Sequence, residues 1–348
     1  MTDIKKHLIH KEQRVKDALN KLNELASDAI LFVTDENDRL IGSLTDGDIR
    51  RGFIKGYEFD TPLTEFIQTN PVFIQQGKYS IEDLNTYKQR NLKIIPILDT
   101  DGRIADILNF RIQRSRLPLD AIIMAGGEGR RLRPLTEQVP KPLLKVGDKP
   151  IIEYNIERLR LYGIQNIFIS IKYLGEQLVD YFGDGSAYGV NIRYIREEQT
   201  LGTIGAVSLM EGLQHENLLV MNSDLLTNID FEDFYLTHLE KKSDMTVASV
   251  PYQVKIPYAV LETEDHTVLS FIEKPTYTYY SNGGIYLIEK DLINWIPKNG
   301  HYNATDLMQE VIGRKRRLTN YPLLGYWLDI GRHEDFEKAQ ADIKHINL

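Results

Sequence analysis

Residues 121–136 read AIIMAGGEGRRLRPLT, an apolar run that leads directly into three closely spaced glycines and three arginines. The apolar run predicts a short buried strand that ends at Met124. Glycines after a strand let backbone N–H groups approach an anion closely, and arginines beside them add bidentate donors for phosphate. The spacing matches neither a P-loop nor the G-x-G-x-x-G fingerprint of dinucleotide-binding folds. It predicts a phosphate-binding loop at the carboxyl end of a strand, and the alternative is a glycine-rich turn with solvated arginines.

Strand and helix patterns alternate downstream of this loop. The predicted strands lie at 166–171, 191–195 and 218–221, and the predicted helices at 151–161, 175–182 and 204–213. The last hundred or so residues mix short strands with helices, and the final helix is predicted near Glu334–His345. This alternation predicts an α/β fold with a mostly parallel sheet and helices on both of its faces. In such sheets ligands bind at the carboxyl ends of the strands.

Residues 1–117 have a different pattern, a weak internal repeat of strand–turn–strand units. The first unit spans 29–44 and the second spans 93–108, and a helical pattern precedes each of them. Two copies separated by roughly 60 residues indicate two stacked supersecondary units that share one core. The short basic segment Gln113–Pro118 ends in proline and marks the predicted boundary, so the two predicted domains are residues 1–117 and 118–348.

The composition limits the classes of function. The 348 residues contain no cysteine, which excludes disulfides, Cys-ligated metals and a thiol nucleophile. No apolar run approaches the ~20 residues of a membrane span, and the N-terminus lacks the apolar core of a signal peptide, so we expect a cytoplasmic protein with no membrane partner. Residues 1–118 carry no net charge and residues 119–348 carry −8, which argues against a nucleic-acid partner.

The glycine-rich segment resembles the signature of the sugar-1-phosphate nucleotidyltransferases. Here the signature reads GGEGRRLRPLT, followed by PKPLL at 140–144 and by Pro150, and Arg130 stands where the family usually has threonine. The resemblance implies a Rossmann-like (GT-A-like) sheet on which a sugar 1-phosphate attacks the α-phosphorus of a nucleoside triphosphate. It implies that Arg131 and Lys141 are the catalytic residues, which grip the phosphates. The nucleotide-binding residues that it implies in this loop are Ala125, Gly126, Gly127, Gly129 and Arg130.

Two further segments resemble the nucleotide and metal motifs of the same family. The segment EEQTLGTIGA at 197–206 resembles the part that lies against the base and ribose. The motifs NSD and WLDIG resemble the metal-binding motifs, and they imply that Asp224 and Asp329 hold Mg²⁺, a hard cation that prefers oxygen ligands. The alternative for Asp224 is an aspartate that starts a turn, and Asp329 standing alone would be interpreted as a turn residue. The nucleotide-binding residues that the first of these segments implies are Glu198, Leu201, Gly202 and Thr203.

The segments FIEKP and SNGGIY resemble the sugar-binding part of the family. The resemblance implies that Glu273 and Asn282 contact sugar hydroxyls, that Lys274 contacts the sugar phosphate, and that Gly284 lies at the sugar. In an extended chain Glu273 and Lys274 point in opposite directions, so one of the two is open to a structural interpretation.

The N-terminal repeat resembles a tandem pair of cystathionine-β-synthase (CBS) domains. The resemblance is carried by LIGSLTDGD at 40–48, in which Thr45 and Asp48 match the residues that hold the phosphate and ribose of an adenine nucleotide. The second copy has Leu108 and Arg111 at these positions, so we expect one adenine-nucleotide site. The alternative is a structural or dimerising module without a ligand, and CBS pairs suggest a homo-oligomer.

The layout of both modules resembles the CBS-containing glucosamine-1-phosphate guanylyltransferases of legionaminic-acid pathways. We therefore expect GTP and glucosamine 1-phosphate, or its N-acetyl form, as the substrates. The other bases (dTTP, UTP and CTP) and the other sugars (glucose 1-phosphate and heptose 1-phosphate) remain open. An alternative of a different class is a nucleotide-sensing regulator without catalysis.

Overall fold

The computed structural model describes residues 4–346, and the chain divides into two compact units between Arg116 and Leu117. This division falls inside the basic segment that the sequence marks as a boundary. No helix among the described residues is long and apolar enough to cross a membrane.

The N-terminal unit contains the predicted repeat. Its elements are α1 (Ile4–His7), β1 (Leu8–His10), α2 (Val15–Leu25), β2 (Leu31–Thr34), β3 (Leu40–Leu44), α3 (Asp46–Ile54), β4 (Ile74–Gln75), α4 (Ile81–Gln89), β5 (Ile94–Leu98) and β6 (Ile104–Asn109). In the first copy β1 pairs in parallel with β2, which pairs antiparallel with β3. In the second copy β4, β5 and β6 repeat this arrangement. Each copy has its own apolar cluster, and Phe32 packs with Ile94 and Ile107 in a third cluster that joins the two copies.

The C-terminal unit is built around one seven-stranded sheet. Its elements are β7 (Leu119–Met124), β8 (Lys145–Val146), β9 (Lys149–Pro150), α5 (Ile151–Leu161), β10 (Asn166–Ile171), α6 (Glu176–Phe182), β11 (Asn191–Arg196), β12 (Asn217–Asn222), β13 (Leu225–Thr227), α7 (Phe231–Glu240), β14 (Met245–Lys255), β15 (Val260–Glu264), β16 (Thr267–Ile272), β17 (Thr276–Glu289), α8 (Ala304–Gly313), β18 (Leu318–Pro322), β19 (Trp327–Asp329) and α9 (His333–Asp342). The strand order in the sheet is β11-β10-β7-β12-β17-β14-β18. All neighbours pair in parallel except at β17, which is antiparallel to both β12 and β14. The predicted mostly parallel α/β sheet is therefore confirmed.

The strand order places a topological switch point at the centre of the sheet. The chain leaves β7 to form β10 and β11 on one side, and then returns to form β12 on the other side. A crevice forms where connections from neighbouring parallel strands depart in opposite directions, and ligands bind there. The loops that follow β7 and β12 are the glycine-rich loop and the Asn222–Asp224 segment, so both motifs meet at this crevice.

The predicted helix at 204–213 is wrong. The structure has a single 3₁₀ turn, Gly205–Leu209, followed by irregular backbone. A Cβ at Gly205 would lie 2.8 Å from the carbonyl oxygen of Gly300, and Gly212 has a φ of +73°. Close packing against another loop and a left-handed glycine leave no room for three turns of α-helix.

Candidate active site

A cavity of about 880 Å³ opens at the carboxyl ends of β7 and β12. Its lining combines the glycine-rich loop, the segment after β11 and the aspartate after β12. Of the residues predicted to bind nucleotide, phosphate or metal, it is lined by Ala125, Gly126, Gly127, Gly129, Arg130, Arg131, Lys141, Gly202, Thr203 and Asp224. Residues separated by a hundred positions in the sequence thus face one space.

Two glycines of the loop are needed for its shape. A Cβ at Gly126 would lie 2.6 Å from Oε1 of Glu197, so any side chain here would collide with the carboxylate. Gly129 has a φ of +62°, and a Cβ there would lie 3.0 Å from the Cβ of Lys141. The absence of side chains lets the loop backbone lie directly beside the side chains of Glu197 and Lys141.

Glu197, rather than the adjacent Glu198 that the sequence predicts, lines the cavity beside the glycine-rich loop. Glu197 is buried, and its two oxygens accept hydrogen bonds from the Ser170 hydroxyl and from the Leu201 backbone N–H, the latter at 3.2 Å. Glu198 is exposed and lies outside the cavity lining, and the Leu201 side chain is buried in the apolar core. The sequence does contain a signal for Glu197. It is the first residue after β11 and therefore lies at the carboxyl end of a strand, where ligands bind in such sheets.

The neighbouring arginines of the loop have different surroundings. Arg130 forms an ion pair with Glu128 at 2.7 Å, and its side chain is largely exposed. The Arg131 guanidinium lies against the backbone of Gly331, since a Cβ on that glycine would be 3.4 Å from it. Because Gly331 closely follows Asp329, Arg131 is directed toward the aspartates of the site.

Lys141 is held between two prolines and pairs with a carboxylate oxygen of Asp224. The Lys141 side chain is 11% exposed and that of Asp224 is 19% exposed. Prolines restrict the backbone on both sides of the lysine, so its ammonium is a fixed point charge. The pair places a cation and an anion side by side at the floor of the cavity.

The two predicted metal ligands are neighbours in the fold although 105 positions separate them in the sequence. The short strands β13 and β19 pair so that Leu225 lies opposite Asp329, and the N–H of Ile330 donates to the Asp224 carbonyl at 3.0 Å. Each aspartate has a buried Oδ1 with no hydrogen-bond partner among residues 4–346. Burial and the nearby charge of Asp224 raise the pKa of Asp329 to about 6. Two unpartnered, buried carboxylate oxygens are the donors that a hard divalent cation requires.

No cluster of three or more His, Cys, Asp or Glu that could hold a metal ion occurs in the described part of the chain. A cation at Asp224 and Asp329 would therefore complete its coordination with water or with oxygens of a bound ligand, as Mg²⁺ commonly does with phosphates.

A second, smaller cavity of about 280 Å³ includes Asn282, Gly284 and Asp329 in its lining. Gly284 has a φ of +72°, and a Cβ there would lie 2.6 Å from Nδ2 of Asn222. The Asn282 side-chain oxygen accepts a hydrogen bond from the Gly284 N–H at 2.9 Å. Thr203, Asn222 and Asp329 line this cavity, and Thr203 and Asn222 also line the larger one, so the two spaces adjoin.

Glu273 and Lys274, both predicted to bind the sugar, lie outside the lining of both cavities. They are exposed between β16 and β17, with 4.0 Å between the Lys274 ammonium and the Glu273 carboxylate. Lys274 has a φ of +44°, which bends the backbone at this point. In this structure their partners are each other, and the contacts of Glu273 with sugar hydroxyls and of Lys274 with the sugar phosphate stay predictions.

A loop that carries none of the predicted motifs forms part of the wall of the larger cavity. It supplies His301 and Asn303, which lie just before α8. The Thr203 hydroxyl accepts a hydrogen bond from the Ala304 N–H at 2.9 Å, and the Asn303 side-chain oxygen accepts one from the Thr203 N–H at 3.3 Å. Thr203 thus joins two loops across the cavity rather than capping a helix of its own.

In the N-terminal unit, Thr45 and Asp48 form the capping box that starts α3. The Thr45 hydroxyl donates to Asp48 at 2.6 Å, and Asp48 also accepts hydrogen bonds from Arg51 and Gln68. These contacts give Thr45 and Asp48 a structural role, because a capping box provides hydrogen-bond acceptors for free N–H groups of the first helical turn. An adenine nucleotide at this position stays a prediction.

The crevice, the glycine-rich loop and the paired aspartates define an enzyme that handles nucleotides. The nucleotidyl transferase family model matches residues 120–346, and the CBS domain model matches residues 3–55. The chain therefore belongs to the nucleotidyl transferase family and has a CBS domain at its N-terminus. The second CBS-like copy, β4–β6, lies beyond the part that the CBS model matches.

Three proteins to which this chain is similar are named as nucleotidyltransferases of sugar 1-phosphates. D-glycero-α-D-manno-heptose 1-phosphate guanylyltransferase of Aneurinibacillus thermoaerophilus is 29% identical over 65% of this chain and 99% of its own length. Mannose-1-phosphate guanylyltransferase of Mycobacterium tuberculosis is 30% identical over 65% of this chain and 64% of its own length, so this chain spans somewhat less than two thirds of that protein. Among solved structures, a putative glucose-1-phosphate thymidylyltransferase from Bacillus anthracis has a TM-score of 0.55 and 26% identity, and the match covers 66% of this chain and 97% of that one.

Proposed function

We propose that the C-terminal unit transfers GMP from GTP to a sugar 1-phosphate and releases pyrophosphate. The observation that carries the choice of base is Glu197, a buried carboxylate in the wall of the larger cavity beside the phosphate loop. The names of the two guanylyltransferase relatives support the same choice.

Glu197 favours guanine because of its hydrogen-bonding chemistry. Each of its oxygens accepts one hydrogen bond within the protein, and a carboxylate has about four acceptor positions in all. Guanine presents two adjacent donors on its Watson–Crick edge, N1–H and N2–H₂. Uracil and thymine present one donor between two carbonyl oxygens, which a carboxylate repels. A buried acceptor-only group therefore favours guanine over uracil and thymine.

In the proposed reaction the enzyme must position the two substrates and compensate the negative charge of their phosphates. An oxygen of the sugar phosphate attacks the α-phosphorus in line as the bond to pyrophosphate breaks, so the enzyme forms no covalent intermediate. Arg131 and Lys141 would hold the two anionic groups together against their repulsion, since both side chains line the larger cavity. The smaller, adjoining cavity would take the sugar, with Asn282 and Gly284 at its wall.

Asp224 and Asp329 would hold Mg²⁺, and their unpartnered buried oxygens support this assignment. When bound, the cation supplies charge neutralisation for the phosphates. Lys141 pairs with the Asp224 oxygen that the cation would leave free, and in this way it keeps the aspartate oriented.

The test of the proposed function is a substrate panel with the full-length chain. Pyrophosphate release would be measured with Mg²⁺ for GTP, UTP, dTTP, CTP and ATP, each with glucosamine, N-acetylglucosamine, glucose, mannose and heptose 1-phosphates. We expect GTP to exceed every other nucleotide by about 100-fold or more in kcat/KM. The layout of the chain favours glucosamine 1-phosphate, and the relatives' names favour heptose or mannose 1-phosphate. Absence of turnover with every pair would contradict the transferase and would favour a nucleotide sensor.

Replacement of Arg131 by alanine should lower kcat by tens-fold or more, since one preorganised donor to developing charge contributes about 2–4 kcal/mol. The matched control is Arg133→Ala, because Arg133 lies outside the lining of the larger cavity, forms an exposed ion pair with Glu128 at 3.6 Å, and should affect kcat much less. The measurement is steady-state pyrophosphate release with the best substrate pair of the panel. A near-normal kcat in Arg131→Ala would refute its catalytic assignment.

A further inference from the structure

A lysine stands beside Glu197 in the wall of the larger cavity. Strands β10 and β11 pair in parallel up to Ile171 and Arg196, and the Glu197 N–H donates to the Ile171 carbonyl at 2.9 Å. Lys172 and Glu197 are therefore the first residues beyond two neighbouring strands, and both line the cavity. None of the predicted motifs contains Lys172, and the proposed reaction does not use it.

One short loop contacts both side chains. The Lys172 ammonium donates to the Thr200 hydroxyl at 2.7 Å, and Thr200 is itself part of the cavity lining. The next residue, Leu201, donates its backbone N–H to Oε2 of Glu197 at 3.2 Å. Because consecutive residues of the loop bind the ammonium and the carboxylate, these two groups are neighbours along the same wall of the cavity.

Lys172 retains hydrogen-bond donors for a ligand. Among residues 4–346, Thr200 is the hydrogen-bond partner of its ammonium, and no carboxylate forms an ion pair with it. An ammonium has three N–H donors, so two of them have no protein acceptor. The side chain is exposed at the cavity wall, where these donors can reach an acceptor on a bound molecule.

We infer that Lys172 selects guanine by donating a hydrogen bond to O6 of the base, beside the carboxylate that accepts from N1–H and N2–H₂. This role rests on the proposed transfer from GTP. The edge of guanine presents two donors followed by the acceptor O6, and the cavity wall presents an acceptor, Glu197, followed by a donor, Lys172. Adenine and cytosine carry an amino group at the position that corresponds to O6, and this donor would face the ammonium. Glu197 thus disfavours uracil and thymine, and Lys172 disfavours adenine and cytosine.

A phosphate oxygen is the other acceptor that an ammonium in this cavity can bind. The glycine-rich loop already supplies Arg130 and Arg131 for phosphates, and Lys141 adds a third cation at the floor of the cavity. Lys172 is instead hydrogen-bonded to the loop that also binds Glu197. This placement favours the base over the phosphates as the partner of Lys172.

The test measures kcat/KM of the full-length wild type and of Lys172→Met, which keeps a long side chain and removes its donors. Each enzyme is supplied with GTP, 6-thio-GTP or ITP, together with the best sugar 1-phosphate of the panel. In 6-thio-GTP a sulfur, which is a weak acceptor, replaces O6, and ITP lacks only the amino group N2. We expect the wild type to prefer GTP over 6-thio-GTP by about 10–100-fold and Lys172→Met to use the two equally. The ratio of GTP to ITP, which reports on Glu197, should be the same in both enzymes.

The matched control is Lys338→Met, because Lys338 is an exposed lysine of α9 that pairs with Asp342 and lines neither cavity. It should keep both wild-type ratios. If Lys172→Met lowered kcat/KM for all three nucleotides by one common factor, Lys172 would bind a phosphate, and its role at the base would be overturned. Wild-type values for all three nucleotides in Lys172→Met would overturn it as well. A wild type that uses no GTP would overturn the proposed function together with this role, whereas equal use of GTP and 6-thio-GTP by the wild type would overturn this role alone.

Discussion

Substitution of Asp224 or Asp329 by asparagine is expected to lower turnover by about three orders of magnitude or more, since several kcal/mol of charge stabilisation depend on a bound cation. The two variants should nevertheless shift the melting temperature of the metal-free protein in opposite directions. Asp224 pairs with the largely buried Lys141, so Asp224→Asn leaves an uncompensated charge and should destabilise the fold. Asp329 faces the charge of Asp224, so Asp329→Asn removes a repulsion and should stabilise it.

Each effect is on the order of 1–2 kcal/mol, which corresponds to about 2–8 °C in melting temperature for a unit of this size. The measurement is thermal unfolding at pH 7.5 without divalent cations, with the exposed Asp148 mutated to asparagine as the control. Addition of Mg²⁺ should raise the melting temperature of the wild type and leave both site variants unchanged, because a ligand stabilises the state that binds it. Retained activity in Asp224→Asn would remove this residue from the proposed metal site. Equal shifts in the same direction would contradict the different surroundings of the two carboxylates.

The difference in melting temperature between Asp329→Asn and the wild type should also depend on pH. Asp329 has a pKa of about 6 in the folded protein and an ordinary value of 3.8, so the folded state binds the proton more tightly. The contribution of this group to stability therefore rises as the pH falls through about 6 and is lost as the pH rises through it. The melting-temperature gap between Asp329→Asn and the wild type should narrow between pH 7.5 and pH 5. A gap that stays constant over this range would contradict the raised pKa.

Replacement of Glu197 by glutamine is expected to lower kcat/KM for GTP by about 10²–10³-fold. Glutamine offers one acceptor and one donor, so a guanine donor would face an N–H group, and each charge-assisted hydrogen bond that is lost costs about 1.5–3 kcal/mol. Leu201 N–H requires an acceptor, so the new amide nitrogen should turn toward the Ser170 hydroxyl, which can accept a hydrogen bond as well as donate one. UTP and dTTP, which present alternating acceptors and donors, should improve relative to GTP.

The matched control for this substitution is Glu198→Gln, which makes the same replacement of a carboxylate oxygen by an amide nitrogen at the adjacent, exposed residue. The measurement is kcat/KM for GTP, UTP and dTTP with one fixed sugar 1-phosphate. If Glu198→Gln changed the base preference and Glu197→Gln did not, Glu198 would be the residue that recognises the base. If neither did, the proposed basis for guanine selection would be wrong.

The family and the architecture were predictable from the sequence because their signals are local. An apolar run that ends in three glycines specifies a strand, a tight loop and a phosphate site within 16 residues, and this prediction needs no knowledge of distant contacts. The alternation of strand and helix patterns likewise predicted the parallel sheet, and repeated strand pairs predicted the N-terminal module. The helix at 204–213 failed because a loop nearly a hundred residues later occupies the space that its turns would need.

What only the tertiary structure decided was which side chains meet. The resemblance of two separate motifs implied that Asp224 and Asp329 share a cation, but the contact itself comes from the pairing of β13 with β19, which no local periodicity encodes across 105 residues. The choice of Glu197 over Glu198 depends on which side chain the end of β11 directs into the cavity, a question of packing rather than of spacing. Glu273 and Lys274 are exposed because they lie between β16 and β17, in a part of the chain that extends past the parts of β17 and β14 that pair with β12 and β18. Local sequence sets the conformation of a segment, whereas burial and strand pairing across the whole unit set the neighbours of each side chain.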